Sequence, residues 1–203
     1  MTISTKLYVV RHGESTLNKQ GIVTGQLNPA LTDKGRKQAL ETKSKLKNIA
    51  FYTVYTSDLD RSIETAEIIC GKSIPKDHRL TNLREQYLGS LQGRPLKDLI
   101  EAEKTKKTMP RAASWTFKYI PDMESDNEVA SRFTTALEGI AKNHPGKTIL
   151  IVAHSGAIRA TLRKLQNLSQ NDLPVGSFRN AGYAEVVYKD DSFKVVRVIG
   201  LKI

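Results

Sequence analysis

The run Thr148-Ile149-Leu150-Ile151-Val152-Ala153 passes without a spacer into His154-Ser155-Gly156. An uninterrupted apolar and β-branched run of this length reads as a strand buried on both faces, the mark of a central strand in a parallel sheet. The segment Ala157 to Leu165 behind it reads as a helix. Near the N-terminus the same design recurs, with Leu7-Tyr8-Val9-Val10 stopping at Arg11-His12-Gly13. A third β-prone run, Tyr52 to Tyr55, stops at Thr56-Ser57-Asp58. Helical signals lie between these runs. Thr32 is a good N-cap for a stretch in which Ala39, Leu40, Leu46 and Ile49 form an apolar stripe. Ile63 to Cys70 carries a helix that Gly71 ends. Ser125-Asp126-Asn127-Glu128 fits a capping box, and the helix behind it carries Val129, Phe133, Leu137 and Ile140 before ending near Asn143 to Gly146. Ala184 to Tyr188 and Phe193 to Val198 alternate around Lys189-Asp190-Asp191-Ser192, which predicts a terminal hairpin. Strands alternating with helices predict an α/β fold: a three-layer α/β/α arrangement with a mostly parallel central sheet.

A chain of 203 residues suits one domain, 1–203, and can bury about 70% of its unfolded surface without disulfides or metals. The single cysteine, Cys70, excludes an internal disulfide framework and a Cys-rich zinc site. The longest apolar run is too short to span a bilayer, and no basic segment leads into a long apolar core, so the expected compartment is the cytoplasm. Thirty-two Lys and Arg against 21 Asp and Glu leave a net charge of +11. That surface favours anionic partners: nucleic acid, acidic lipid or phosphorylated metabolites. Arg94 to Pro121 is basic and punctuated by Pro95, Pro110 and Pro121; it reads as a helix followed by an irregular excursion.

In open α/β sheets, ligands bind beyond the carboxyl ends of the strands. That rule brings together Arg11 and His12 from the first strand, Ser57 to Arg61 from the second and His154 from the late one. Two arginines, two histidines and helix N-terminal amides suit a doubly charged oxyanion. His78 and His144 sit instead beside Asp77 and Pro145 in polar loops. A zinc site would need a third ligand and would be repelled by the arginines, so no metal is expected. A neutral imidazole can attack phosphorus and hold the phosphoryl group covalently. The neighbouring arginines then stabilise the charge that develops. Such chemistry needs an acid for the leaving oxygen. Glu85, in Leu83-Arg84-Glu85-Gln86, is the candidate, with Glu14 and Glu124 as alternatives.

Five blocks in order carry a resemblance. They are Arg11-His12-Gly13-Glu14 with Asn18; Leu31-Thr32-Asp33-Lys34-Gly35; Ser57-Asp58-Leu59-Asp60-Arg61 with Thr65-Ala66; Leu83-Arg84-Glu85 with Gly89 and Gly93; and His154-Ser155-Gly156-Ala157-Ile158-Arg159. From about Leu7 to Leu165 the chain closely resembles the histidine phosphatase superfamily, in the branch of cofactor-dependent phosphoglycerate mutases and fructose-2,6-bisphosphatase-like phosphatases. The resemblance implies a phosphoglycerate mutase-like fold over a single domain, with a variable substrate-covering excursion at about 94–121. It implies His12 as the nucleophile, Glu85 as the proton donor, and Arg11, Arg61 and His154 as phosphoryl-binding groups. Asn18 would be a further phosphate contact, and no metal or other cofactor is implied.

The chain departs from the pattern at several points. Asn28 stands where relatives often carry Asp, an effect expected on the loop alone. Ser155 replaces a common Gly and would bring a hydroxyl near the phosphate. Ser90-Leu91-Gln92-Gly93 follows the mutases closely, yet Leu88 stands where they usually have Tyr, and Pro110-Arg111-Ala112 offers one arginine where they have two. Those gaps weaken the grip on a substrate that must stay bound while it turns, so water is the expected acceptor. The sequence therefore predicts a metal-independent phosphomonoester hydrolase acting on a small phosphorylated metabolite through phosphohistidine. The alternatives are a 2,3-bisphosphoglycerate-dependent phosphoglycerate mutase and a non-catalytic phosphate- or RNA-binding module. Intact Arg11 and His12 argue against the last, and neither a stable nucleic acid partner nor a membrane is expected. The chain is expected as a monomer or homodimer. Lys104, Lys106 and Lys107 read as a solvated face, or else gather a second anionic group of the substrate together with Arg111. Trp115 and Phe117 line that pocket or anchor the excursion, and Cys70 reads as an inert buried thiol.

Overall fold

The computed structural model describes residues 3–169 and 171–201. Five strands form one sheet: β1 (Thr5–Arg11), β2 (Thr53–Thr56), β3 (Thr148–Ala153), β4 (Phe178–Lys189) and β5 (Ser192–Leu201). Their order is β2-β3-β1-β4-β5. β2, β3 and β1 run parallel, and the β4–β5 hairpin adds two antiparallel strands beside β1. Among the described residues seven α-helices accompany them: α1 (Thr16–Lys19), α2 (Asp33–Lys45), α3 (Asp60–Cys70), α4 (Leu96–Lys107), α5 (Arg111–Thr116), α6 (Asp126–Asn143) and α7 (Ser155–Gln166).

The alternation of β1 builds the layers. Leu7 and Val9 enter one core with Ile149, Ile151, Val129, Phe133 and Ile158, from β3, α6 and α7. Tyr8 and Val10 enter the other with Leu150, Val152, Ala66 and Ile69, from β3 and α3. Period-two side chains on a sheet covered on both faces give this division. Truncating the fully buried Phe133 to Ala would cost about 3–5 kcal/mol. The capping signals form as read: Thr32 Oγ1 accepts from Gly35 N, and Ser125 and Glu128 close a capping box. Gly71 ends α3 in the left-handed conformation at φ 74°.

Three readings need correction. Leu40 is 54% exposed and lies outside the apolar stripe; α2 buries Gly35, Ala39 and Thr42 instead, with Leu46 at its C-cap. The excursion after α4 is more regular than expected, because Arg111–Thr116 form a short helix. Its lysines do not form a uniform solvated face: Lys106 is 1% exposed and lies 2.8 Å from Asp126. Trp115 anchors this segment by stacking on the Arg163 guanidinium at 4.8 Å. Cys70 is half-buried.

Candidate active site

Parallel register places the two histidines side by side. Arg11 pairs with Ala153, and His12 N donates to Ala153 O at 2.9 Å, so β1 and β3 stop together. The rings of His12 and His154 lie 5.1 Å apart, and both are buried. β2 ends one step earlier, and its Ser57 leads through Leu59 into α3, whose first turn carries Arg61. Three segments far apart in sequence thus converge, as the strand-end rule demands.

His12 is held in one tautomer. Its Nδ1 lies 2.6 Å from Gly13 O and must donate to it, which leaves the lone pair on Nε2. Arg61 Nε donates to that Nε2 at 3.2 Å. Burial first, then the charges of Arg61 and Arg11, hold the His12 pKa well below the usual histidine value, so the ring is neutral. The Arg61 guanidinium is fixed by two carbonyls, Leu27 O at 2.6 Å and Gly25 O at 2.7 Å. Burial lowers both Arg11 and Arg61 to about 10, with the Glu85 charge opposing the fall, so both remain cations at neutral pH.

His154 is cradled differently. Ser57 Oγ stands 2.7 Å and Ser62 Oγ 3.1 Å from its Nε2. Leu59 N donates to Ser57 Oγ; with either serine hydroxyl donating to Nε2, the ring carries its proton on Nδ1. That Nδ1 is buried with no partner, as is Nε of Arg11. These two nitrogens belong to the same cluster as the His12 lone pair, an arrangement whose chemistry suits an oxyanion. Burial first, then the charges of Arg61, Arg132 and Arg11, also pushes the His154 pKa well below its ordinary value.

Glu85 occupies the N-terminus of α7. Its carboxylate accepts from Gly156 N at 3.0 Å, Ala157 N at 2.9 Å and Gln86 N at 2.8 Å. The helix amides expected to face the phosphate therefore hold the carboxylate. Gly156 allows the approach, since a Cβ there would stand 2.6 Å from Glu85 Oε1. The backbone around Glu85 is clamped by Arg132, which donates to Asn82 O, Arg84 O and Glu85 O at 2.8–3.0 Å and pairs with Glu124 at 2.6 Å. Glu124 is thereby occupied. Glu14 is likewise taken, by Lys34 at 2.9 Å and Thr32 at 3.0 Å. Neither shares the position of Glu85.

A cleft of about 290 Å³, lined by Arg11, Asn18, Glu85, Ser155, Arg159 and Asn180 among others, adjoins this cluster through Arg11 and Glu85, while His12, Arg61 and His154 are buried behind its lining. Asn18 reaches the cleft, but its amide group is engaged with Ser15 N, Thr24 Oγ1 and Asn180 Nδ2. Ser155 lines the cleft. Arg111 does not; it bonds Asn167. Asn28 caps Asp60 N at 2.9 Å, a loop-fastening role as expected.

Sequence reasoning did not single out Ser62, Arg132 or Asn180. Each acts by holding another residue's backbone or ring, and such roles leave no motif. Ser57 stood in one of the quoted blocks without an assigned role. Asn180 and Ala181 both donate to His12 O, at 3.3 and 3.2 Å. Ala181 does so at φ 55°, a left-handed conformation that costs a non-glycine residue about 1–2 kcal/mol.

A sequence model of the histidine phosphatase superfamily (branch 1) matches residues 7–199. The chain is 34% identical over 197 residues to a metal-independent phosphoserine phosphatase of Arabidopsis thaliana, covering 93% of this chain and 79% of the relative. It is 39% identical over 162 residues to phosphoglycerate mutase-like protein 4 of the same plant, covering 76% and 68%. In fold it is similar to the phosphoglycerate mutase of Bacillus anthracis, with a TM-score of 0.83, 23% identity and coverage of 98% and 94%. With a family match over nearly its whole length and the strand-end histidines and arginines in place, the chain belongs to the histidine phosphatase superfamily, branch 1, and is an enzyme of that superfamily.

Proposed function

We propose that the chain is a metal-independent phosphomonoester hydrolase for a small phosphorylated metabolite, working through phosphohistidine at His12. The observation that carries this reading is the neutral Nε2 of His12, 3.2 Å from Arg61 Nε and beside the unpartnered donors of Arg11 and His154. A phosphoryl dianion entering here would accept from Arg11, Arg61 and His154, and Arg61 would release the lone pair of His12. Nε2 attacks phosphorus, the phosphorus–oxygen bond breaks, and its electron pair leaves with the substrate oxygen. Glu85, which carries a proton on Oε2 as the step begins, passes it to that oxygen and is left as the carboxylate. Its Oε2 accepts only one backbone hydrogen bond and has capacity for the leaving group, whereas Oε1 accepts two. In the second half-reaction Glu85 takes a proton from water, the water oxygen bonds to phosphorus, and the phosphorus–nitrogen bond breaks to restore the imidazole. Asn18 and Ser155 complete the phosphate end of the cleft in this reading.

Hydrolysis is favoured over a mutase reaction because Arg111, the one arginine of the excursion's Pro110-Arg111-Ala112, is bonded to Asn167 outside the cleft. Residues 94–121 cover the substrate as part of a single functional unit, 1–203; Leu96 and Leu99 of α4 already line the cleft. Among the described residues no helix is long and apolar enough to cross a membrane. The chain is assigned to the cytoplasm, as a monomer or homodimer without a stable nucleic acid partner. The test is a screen of phosphorylated metabolites, with and without chelator, reading both free phosphate and the organic product. Free phosphate unaffected by chelator supports the hydrolase. An isomerised ester with no release identifies a mutase. Tight, salt-sensitive RNA binding with no turnover identifies a binding module.

A further inference from the structure

One wall of the cleft is apolar. Ile22, Val23, Leu88, Leu96, Leu99 and Val175 line it, continuous with a small core that holds Leu91 and Met123. At its edge stands Arg159, one turn into α7 and 5% exposed. None of the phosphate-handling groups needs it. Among the described residues its one hydrogen bond runs from Nη1 to Leu173 O at 3.2 Å, and its ion-pair partner Glu103 stands at 3.8 Å. A guanidinium that lines the cleft therefore keeps N–H donors for a ligand.

The charge behind it is shared among several buried groups. Arg159 belongs to a buried group in which three cations (Lys106, Arg159, Arg163) face two carboxylates (Glu103, Asp126). Asp126 is shared by Lys106 at 2.8 Å and Arg163 at 2.5 Å, and one nitrogen of Arg163 has no partner. The carboxylates of Glu103, Asp126 and Glu85 oppose the cost of burial and hold Arg159 charged, so the guanidinium it presents to the cleft is a lasting cation that suits an anion. The excursion lysines do not offer that role. Lys104 is exposed and pairs with Glu101, and Lys107 is exposed as well.

We infer that Arg159 is the specificity-determining residue of the cleft, and that the preferred substrate is a phosphomonoester with an apolar body ending in a carboxylate. The phosphoryl group sits at His12, the body lies on the Leu88–Leu99 wall, and the carboxylate meets Arg159. This rests on the proposed position of the phosphoryl group.

The probes are benzyl phosphate and its meta- and para-carboxybenzyl counterparts, whose leaving alcohols are alike, together with the corresponding non-hydrolysable phosphonates. The wild type is expected to favour at least one carboxylated ester over benzyl phosphate by tenfold or more in kcat/KM, mostly through KM. In Arg159→Met that ratio is expected to fall at least tenfold, and Arg159→Lys should restore part of it. An unchanged ratio in a folded Arg159→Met would overturn the inference. The phosphonates give a reading on the wild type that needs no variant. Inhibition constants that do not differ between carboxylated and plain forms would overturn it equally. Phosphonate binding that prefers the carboxylate, with no phosphate released from any ester, would instead break the hydrolase reading and leave the role of Arg159 standing.

Discussion

The parallel strands hold two histidines at each end, and the pairs are built for opposite purposes. At the carboxyl ends, His12 and His154 are buried among arginines, and each ring has a nitrogen reserved for a ligand. At the amino ends, His78 stacks on Tyr55 at 4.3 Å, and its Nδ1 lies 2.9 Å from Val54 O. His144 closes α6 and meets the Tyr55 hydroxyl at 2.9 Å. The first pair is neutral because of burial and neighbouring cations; the second is spent on local hydrogen bonds. Imidazole chemistry here depends on where a strand delivers the ring and what charge surrounds it.

The largest expected effect separates the pairs directly. His12→Ala should abolish phosphate release and the labelled phosphoenzyme seen on rapid acid quench, whereas His144→Ala should leave kcat unchanged. Equal losses in the two variants would dissolve the distinction. Glu85→Gln comes next. Loss of acid–base catalysis should lower kcat about 10²–10⁴-fold. Vanadate or phosphate binding, measured by calorimetry, should persist, because Arg11, Arg61 and His154 are untouched.

A third effect follows from proton linkage. Unfolded histidine titrates near 6.5, and the folded pKa values of His12 and His154 lie well below that. Between those limits the unfolded chain binds more protons, so stability is full above about pH 6.5 and falls as the pH drops below it. The midpoint of urea unfolding should therefore decline between pH 7 and 5, and His154→Gln should flatten the decline. A midpoint independent of pH in the wild type would contradict the neutral assignment. The smallest effect is at the other end: His144→Ala loses its bond to Tyr55 and should cost about 1 kcal/mol in unfolding free energy.

Much of this site was legible because β-strands advertise themselves. Apolar runs that stop at Arg11-His12 and at His154 specify both the sheet and the chemistry at its edge. Ser125 and Thr32 were legible as caps because a cap is a local hydrogen bond between near neighbours. Leu40 misled because an apolar side chain at a plausible spacing can still face water. Lys106 misled because burial of a lysine depends on Asp126, twenty positions away, which composition cannot see. The engagement of α7's amides by Glu85 was equally hidden, since it requires the loop after Leu83 to pass that helix at the spacing Gly156 permits.

Arg132 has a reach beyond its own hydrogen bonds. It sits on α6, yet it ties three backbone carbonyls of the Glu85 segment, those of Asn82, Arg84 and Glu85, to that helix. A small molecule or sequence change that tilts α6 would thus detune proton delivery from outside the cleft, offering a handle for inhibitors that need not compete with a phosphate ester.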